Sequence, residues 1–145
     1  MSIPYIKTVI NGLRESFDLS LTKVKGKQII FEGYWKDGKS VVLISPLSKL
    51  YESGNGWVDI TKKQVELLNN YSIAIAAFRL PDMIYYFDFN QLNTILSDDC
   101  LIYNEREGEH WKMDIWPNEI RVKNGGGSIQ VTANNINILN DLFIE

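Results

Sequence analysis

Apolar residues Ile6, Val9, Ile10, Leu13 and Phe17 fall at three- and four-residue spacing, while Lys7, Asn11, Arg14 and Glu15 lie elsewhere on the wheel. This spacing predicts an amphipathic helix over residues 4–17. β-Rich runs follow at 19–24, 27–35 and 40–45, separated by Lys25-Gly26-Lys27 and by Lys36-Asp37-Gly38-Lys39. Asp-Gly is a strong short hairpin signal, so the three runs predict an antiparallel meander. Residues 46–56 are turn-rich. A short strand is expected at 57–60, and Thr61 is suited to cap a helix running through Leu68, with Val65 and Leu68 toward the core. Residues 72–80 are nearly all apolar, which suits a strand covered on both faces, and 83–89 is its expected hairpin partner. One or two helical turns are expected at 90–96. Strands are expected at 100–105, 110–116, 119–123 and 129–132, a hairpin tip at Asn124–Ser128, and a closing helix at 133–143.

Two stretches, Gly56–Tyr71 and Gly127–Leu142, echo each other without a gap. Gly56, Thr61, Leu68 and Asn69 fall on Gly127, Thr132, Leu139 and Asn140, and the same offset pairs Ile44 with Ile115 and Pro46 with Pro117. A true duplication and a shared strand-turn-helix grammar of Gly, Thr and Leu both account for this, and the second is the commoner cause. Either way, both helices are expected to dock on sheet in the same manner.

At 145 residues and 45% hydrophobic content the chain is long enough for one self-sufficient core, so 1–145 is read as a single domain. With 15 Lys+Arg against 18 Asp+Glu, the formal net charge is -3. That balance gives no overall field to attract phosphate backbones or anionic membrane, so any nucleic-acid contact must come from a local patch. A lone cysteine, Cys100, excludes an internal disulfide and points to a reducing compartment. No spacing of Cys and His suggests zinc. Polar residues interrupt the N-terminal helix, and no stretch reaches the roughly 18 apolar residues of a membrane span. The expectation is a cytoplasmic protein with no membrane partner, or one made inside a host cell by a virus or plasmid.

The order helix, strand, strand, strand, helix, strand over roughly residues 4–90 resembles the α-β-β-β-α-β core of the PD-(D/E)xK nuclease superfamily, which includes Holliday-junction resolvases and restriction enzymes. The hairpin at 29–45, the turn-rich loop and the strand-helix-strand run at 57–80 carry the likeness. It implies an α/β (α+β) fold: a central mixed, mostly antiparallel sheet flanked by helices over 1–90, with a C-terminal β-hairpin and helix over 91–145. In that family an Asp near the second strand and a Glu on the third hold a divalent metal, and a Lys two residues beyond the Glu assists the chemistry. Here Glu32 matches the first acid and Glu15 a helix acid of some relatives. The Glu-x-Lys motif is not found, because its place holds Leu43, Ile44, Ser45, Pro46 and Leu47. Lys49 is the nearest replacement lysine. Gln64 occupies a position similar to a Gln that approaches the site in some members.

Without the resemblance, Glu32 is a solvent-facing strand residue, Glu15 belongs to the polar face of a helix, and Gln64 bonds along a helix surface. His110, Lys112 and Asp114 alternate along a strand and share one face, with Trp111, Met113 and Ile115 on the other. No nucleophile accompanies them, and a wet sheet face is the simplest account. Lys23, Lys25, Lys27, Lys36 and Lys39 on the meander and its turns suit either a weak phosphate-binding edge or protection of an edge strand from pairing. Trp35, Trp57, Trp111 and Trp116 with Tyr34, Tyr51, Tyr85 and Tyr86 supply rings for stacking or for anchoring a partner.

The leading reading is a degenerate nuclease-like module that binds DNA, RNA or a nucleic-acid-processing protein without cutting, through Lys25, Lys27, Lys36, Lys39 and Gln64, and needs no cofactor. One alternative is an active Mg²⁺-dependent nuclease with a rearranged site of Glu15, Glu32 and Lys49, Glu32 holding the metal. The other is a small interaction or inhibitor protein from a mobile element or virus. Dimerisation through an edge strand is open to all three.

Overall fold

The computed structural model describes residues 2–144. Helix α1 (Ile6–Phe17) leads into β1 (Thr22–Lys23), β2 (Ile30–Tyr34), β3 (Ser40–Ile44) and β4 (Gly56–Thr61), then α2 (Lys62–Leu68), β5 (Ile73–Leu80), β6 (Met83–Asp88) and α3 (Phe89–Asn93). Strands β7 (Ile102–Asn104), β8 (Gly108–Trp116), β9 (Glu119–Val122) and β10 (Ser128–Gln130) complete the set, followed by a 3-10 segment at Ile136–Leu142.

The α+β class holds, with a mixed sheet in the order β1-β2-β3-β5-β6 that is parallel only between β3 and β5. Its β2–β3 turn is the expected Asp-Gly hairpin, with Asp37 at φ 64° and Gly38 at φ 76°. The sequence did not reveal a second sheet, β10-β9-β8-β4, with β7 also paired to β8. The crossover from β3 to β5 therefore does not simply carry a helix. It sends β4 out to join strands from the C-terminal third, so residues 91–145 share a core with residues 1–90.

Strand β5 explains the layering. All eight of its residues are buried. Ala74, Ala76, Phe78 and Leu80 pack with Val58, Ile60, Trp111, Met113 and Ile120 between the two sheets. Ile73, Ile75 and Ala77 face the other way, onto Val9 and Leu13 of α1. Small alanines on both sides let the layers close on a strand covered on both faces, the burial its apolar run predicts.

The echoed segments part company here. Thr61 caps α2 through a reciprocal capping box: its hydroxyl accepts from the Gln64 amide at 3.1 Å, and the Gln64 side chain accepts from the Thr61 amide at 2.9 Å. Thr132 makes no capping bond among the described residues, and the expected closing α-helix is a 3-10 run whose N-cap, Asn135, makes no side-chain cap bond. Asn134, Asn135, Asn137 and Asn140 compete for backbone bonds and disfavour an α-helix there. The two units also dock on opposite faces of the first sheet, Val65 and Leu68 in the inter-sheet core and Leu139 on the α1 side. A local tether diverts the second unit: Ala133 bridges Tyr85, and Asn134 exchanges bonds with Ile84, its amide donating to the Ile84 carbonyl at 2.8 Å and its side chain accepting from the Ile84 amide at 2.9 Å. The chain is thereby led around the β6 edge.

Candidate functional site

The residues expected for metal-dependent cleavage stand on three separate surfaces. Glu15 is on α1, outside the first sheet, and borders cavities with Tyr86 and with Trp35. Glu32 pairs with Val42 in register and so points to the opposite, inter-sheet side, where the Tyr71 hydroxyl donates to its carboxylate. Burial first, then that hydrogen bond and the Glu32 charge, push the Tyr71 phenol up to about 12. Lys49 lines a third cavity beside β4. No common site unites the three.

The binding candidates are dispersed as well. Lys25 and Lys27 lie at the β1–β2 turn, and Lys36 and Lys39 sit over the Trp35 ring at 5.6 and 5.7 Å, at the other end of β2. A five-residue strand separates the two pairs by about 17 Å. Gln64 has its side-chain oxygen committed to the capping box. Lys27 and Gln64 do share a cavity of about 580 Å³, walled by Glu105, Glu107 and Glu109.

What the structure assembles instead lies on and beside β4, an edge strand of the second sheet. A groove of about 500 Å³ is lined by Ile29, Pro46, Leu47, Lys49, Tyr51 and Trp57, with Asp59 at its border. Leu47, Leu50, Tyr51 and Trp57 are 54%, 36%, 37% and 39% exposed, a concentration of open apolar surface on one loop and the strand it enters. The Tyr51 and Trp57 rings stack at 6.5 Å, with Lys49 over the first at 4.9 Å and Lys112 over the second at 4.8 Å. Gly56 is what lets the loop lie this close. A Cβ there would meet Leu80 Cδ2 at 2.8 Å and Ser48 Oγ at 2.9 Å.

The groove follows a sheet edge that is only partly covered. The Trp57 amide donates to Ser48 Oγ and the Thr61 amide to Gln64, both away from β8. By the two-residue period of a strand, the Asp59 amide between them faces the same way.

The outer face of the second sheet continues from this groove. Lys112 lies 3.5 Å from the Asp59 carboxylate, its partner in register on β4. Burial, the largest effect, raises the Asp59 pKa above the ordinary range, and Lys112 opposes it. Asp114 accepts from Asn55 at 3.2 Å and pairs with Lys123 at 3.6 Å. His110, Lys112 and Asp114 thus share a face, as their alternation requires, with Trp111, Met113 and Ile115 in the core. His110 is the exception to a wet face, being fully buried between Thr61 of β4 and Ile102 of β7.

Asp59 and, in loop 47–57, Leu47 and Leu50 escaped the sequence reading as site residues, whereas Lys49, Tyr51 and Trp57 were named there in other roles. Their one signal is the composition of that loop, which carries Leu47, Leu50, Tyr51 and Trp57 in a segment otherwise made of turn residues. Compared with known proteins, the chain matches no family model, no curated protein and no solved structure. The likeness to the PD-(D/E)xK core therefore rests on the order of elements alone.

Proposed function

We propose that the protein is a non-catalytic interaction module that docks an extended segment of a protein partner in the groove beside β4. The concentration of exposed Leu47, Tyr51 and Trp57 in one groove, with exposed Leu50 on the same loop, carries this reading. Aromatic anchors rimmed by charge are the usual chemistry of an interface centre. Between the amides taken by Ser48 and Gln64, the outward Asp59 amide of β4 supplies a backbone donor for an added strand, and the groove supplies the pocket for an alternate side chain. Among the described residues the Lys49 ammonium meets the Tyr51 ring and no carboxylate, which suits an acidic residue flanking the apolar anchor. The overall acidic balance favours protein over a phosphate backbone. Separation of Glu15, Glu32 and Lys49 on three surfaces supports binding without cleavage. We infer a reducing cytoplasm as the module's compartment, because the lone Cys100 has no second cysteine with which to form an internal disulfide.

A displayed peptide library selected on the full chain, with counter-selection on Trp57→Ser, tests this. Sequences with an apolar anchor beside Asp or Glu are expected, binding the variant at least about 30-fold more weakly. No enrichment, or enrichment indifferent to Trp57, would overturn the proposal. The alternation of Lys49, Tyr51, Trp57 and Lys112 also has the chemistry of a base-stacking platform. Salt-sensitive retention of single-stranded DNA or RNA, lost in Trp57→Ser, would replace the protein partner with a nucleic acid.

A further inference from the structure

His110, Asp59 and Glu107 converge from β8, β4 and the β7–β8 turn, and one potential ligand atom from each lies within 4.8 Å of the others. Acidic groups gather on many surfaces without consequence. This group differs in the state of its histidine. His110 is 0% exposed, and its Nε2 has no hydrogen-bond partner among the described residues. The other ring nitrogen, Nδ1, lies 3.0 Å from the Gly108 carbonyl oxygen. A carbonyl only accepts, so Nδ1 carries the proton, and in the neutral ring Nε2 presents a lone pair.

That lone pair faces Glu107 Oε2 at 3.6 Å. The distance is long for an N–H···O bond, which spans about 2.7–3.2 Å, so a second proton on Nε2 would be poorly used. It suits two ligands of one ion. Metal bonds of about 2.0–2.1 Å at a tetrahedral angle separate the donor atoms by about 3.3–3.4 Å. Asp59 Oδ1 is likewise buried without a hydrogen bond, although Lys112 stands 3.5 Å from it. Two carboxylate oxygens and an imidazole lone pair form an electron-rich pocket in which Lys112 is the resident cation. A histidine whose far nitrogen is tied to a backbone carbonyl is in the arrangement that orients metal ligands.

We infer that Asp59, Glu107 and His110 bind a divalent transition-metal ion of the zinc class, through His110 Nε2 and one oxygen of each carboxylate, with a fourth position left to solvent. An imidazole with two carboxylates suits zinc and its neighbours better than magnesium or calcium, which prefer all-oxygen sets. On binding, Lys112 gives up Asp59 and keeps its place over the Trp57 ring, 4.8 Å away. Glu107, whose side chain is 40% exposed, closes the remaining distance.

The test is calorimetric titration of the chelator-treated full chain with Zn²⁺, read alongside the imidazole nitrogen shifts of a ¹⁵N-labelled sample. His110 is the sole histidine, so its signal needs no assignment. Stoichiometric binding is expected, with Nε2 and not Nδ1 moving. Glu107→Gln, at a half-exposed turn where folding is safe, should weaken binding on the order of tenfold or more. Lys112→Met should bind at least as tightly as the wild type, because a competing cation is gone, whereas a merely structural Lys112 would lower affinity. No stoichiometric binding, unmoved Nε2, or affinity indifferent to Glu107→Gln would each overturn the site.

Discussion

Arg79 is the place to perturb the groove from behind. It sits on β5 with 7% exposure, and its guanidinium donates to Ser45 Oγ at 2.9 Å, to the Ser45 carbonyl at 2.8 Å and to the Pro4 carbonyl at 3.2 Å. No carboxylate pairs with it among the described residues, and burial lowers its pKa. Its backbone also holds the start of the groove loop, with the Ser48 amide donating to the Arg79 carbonyl at 2.9 Å and the Arg79 amide to the Pro46 carbonyl at 3.0 Å. Arg79→Met keeps most of the aliphatic volume but leaves two buried Ser45 acceptors unmet, at about 1–3 kcal/mol each. Relief from holding a desolvated, unpaired cation returns part of this, so the expected net loss is about 2–4 kcal/mol. For a chain of this size that lowers the melting temperature by about 7–13 °C. Arg79→Lys should cost a similar amount, since an ammonium cannot reproduce the fork. Urea unfolding of the three proteins measures it. A Met variant within about 0.5 kcal/mol of wild type, or more stable, would show that desolvation outweighs the carbonyl cage and refute the reasoning.

Further outcomes follow from the same physics. Thr61→Ala removes one side of the capping box and should cost about 1 kcal/mol in urea unfolding, with little change in the groove. Gly56→Ala forces Leu80 and Ser48 apart and should cost about 1–3 kcal/mol, with weaker binding of any groove ligand. Tyr71 holds its proton more tightly folded, at about 12, than at the ordinary 10.0, so its contribution to stability is complete below pH 10 and lost as pH rises through about 12. Phenolate absorbance should show that late titration disappear in Tyr71→Phe and move to lower pH in Glu32→Gln.

Much of the fold was legible because it is written locally. The run at 72–80, apolar but for Ser72 and Arg79, announces a strand buried on both faces, Asp37-Gly38 announces a hairpin, and Thr61 announces a cap. The spacing from Thr61 to Gln64 is itself a capping-box signature, and it explains Gln64 better than a role in binding. The pairing of β4 with β8 was not legible, because nothing near residue 57 specifies a partner more than 50 positions away. The same long-range register brings Asp59 to Lys112 and His110. Alternation along β8 identified one face of its sheet, but the acids that complete that face come from a different strand and from a turn. The echo between residues 56–71 and 127–142 misled in the opposite sense. Shared Gly, Thr and Leu describe a local grammar, and the tether at Ala133 and Asn134 decides where the second unit docks.

The most direct measurement is amide chemical-shift mapping of the ¹⁵N-labelled chain during titration with a blocked extended peptide of alternating leucine and aspartate. Docking beside β4 requires the amides of Leu47, Tyr51, Trp57 and Asp59 to move together and saturate, with those around Glu32 and Tyr71 still. Shifts centred on Glu32 and Tyr71, or none at the groove, would contradict it.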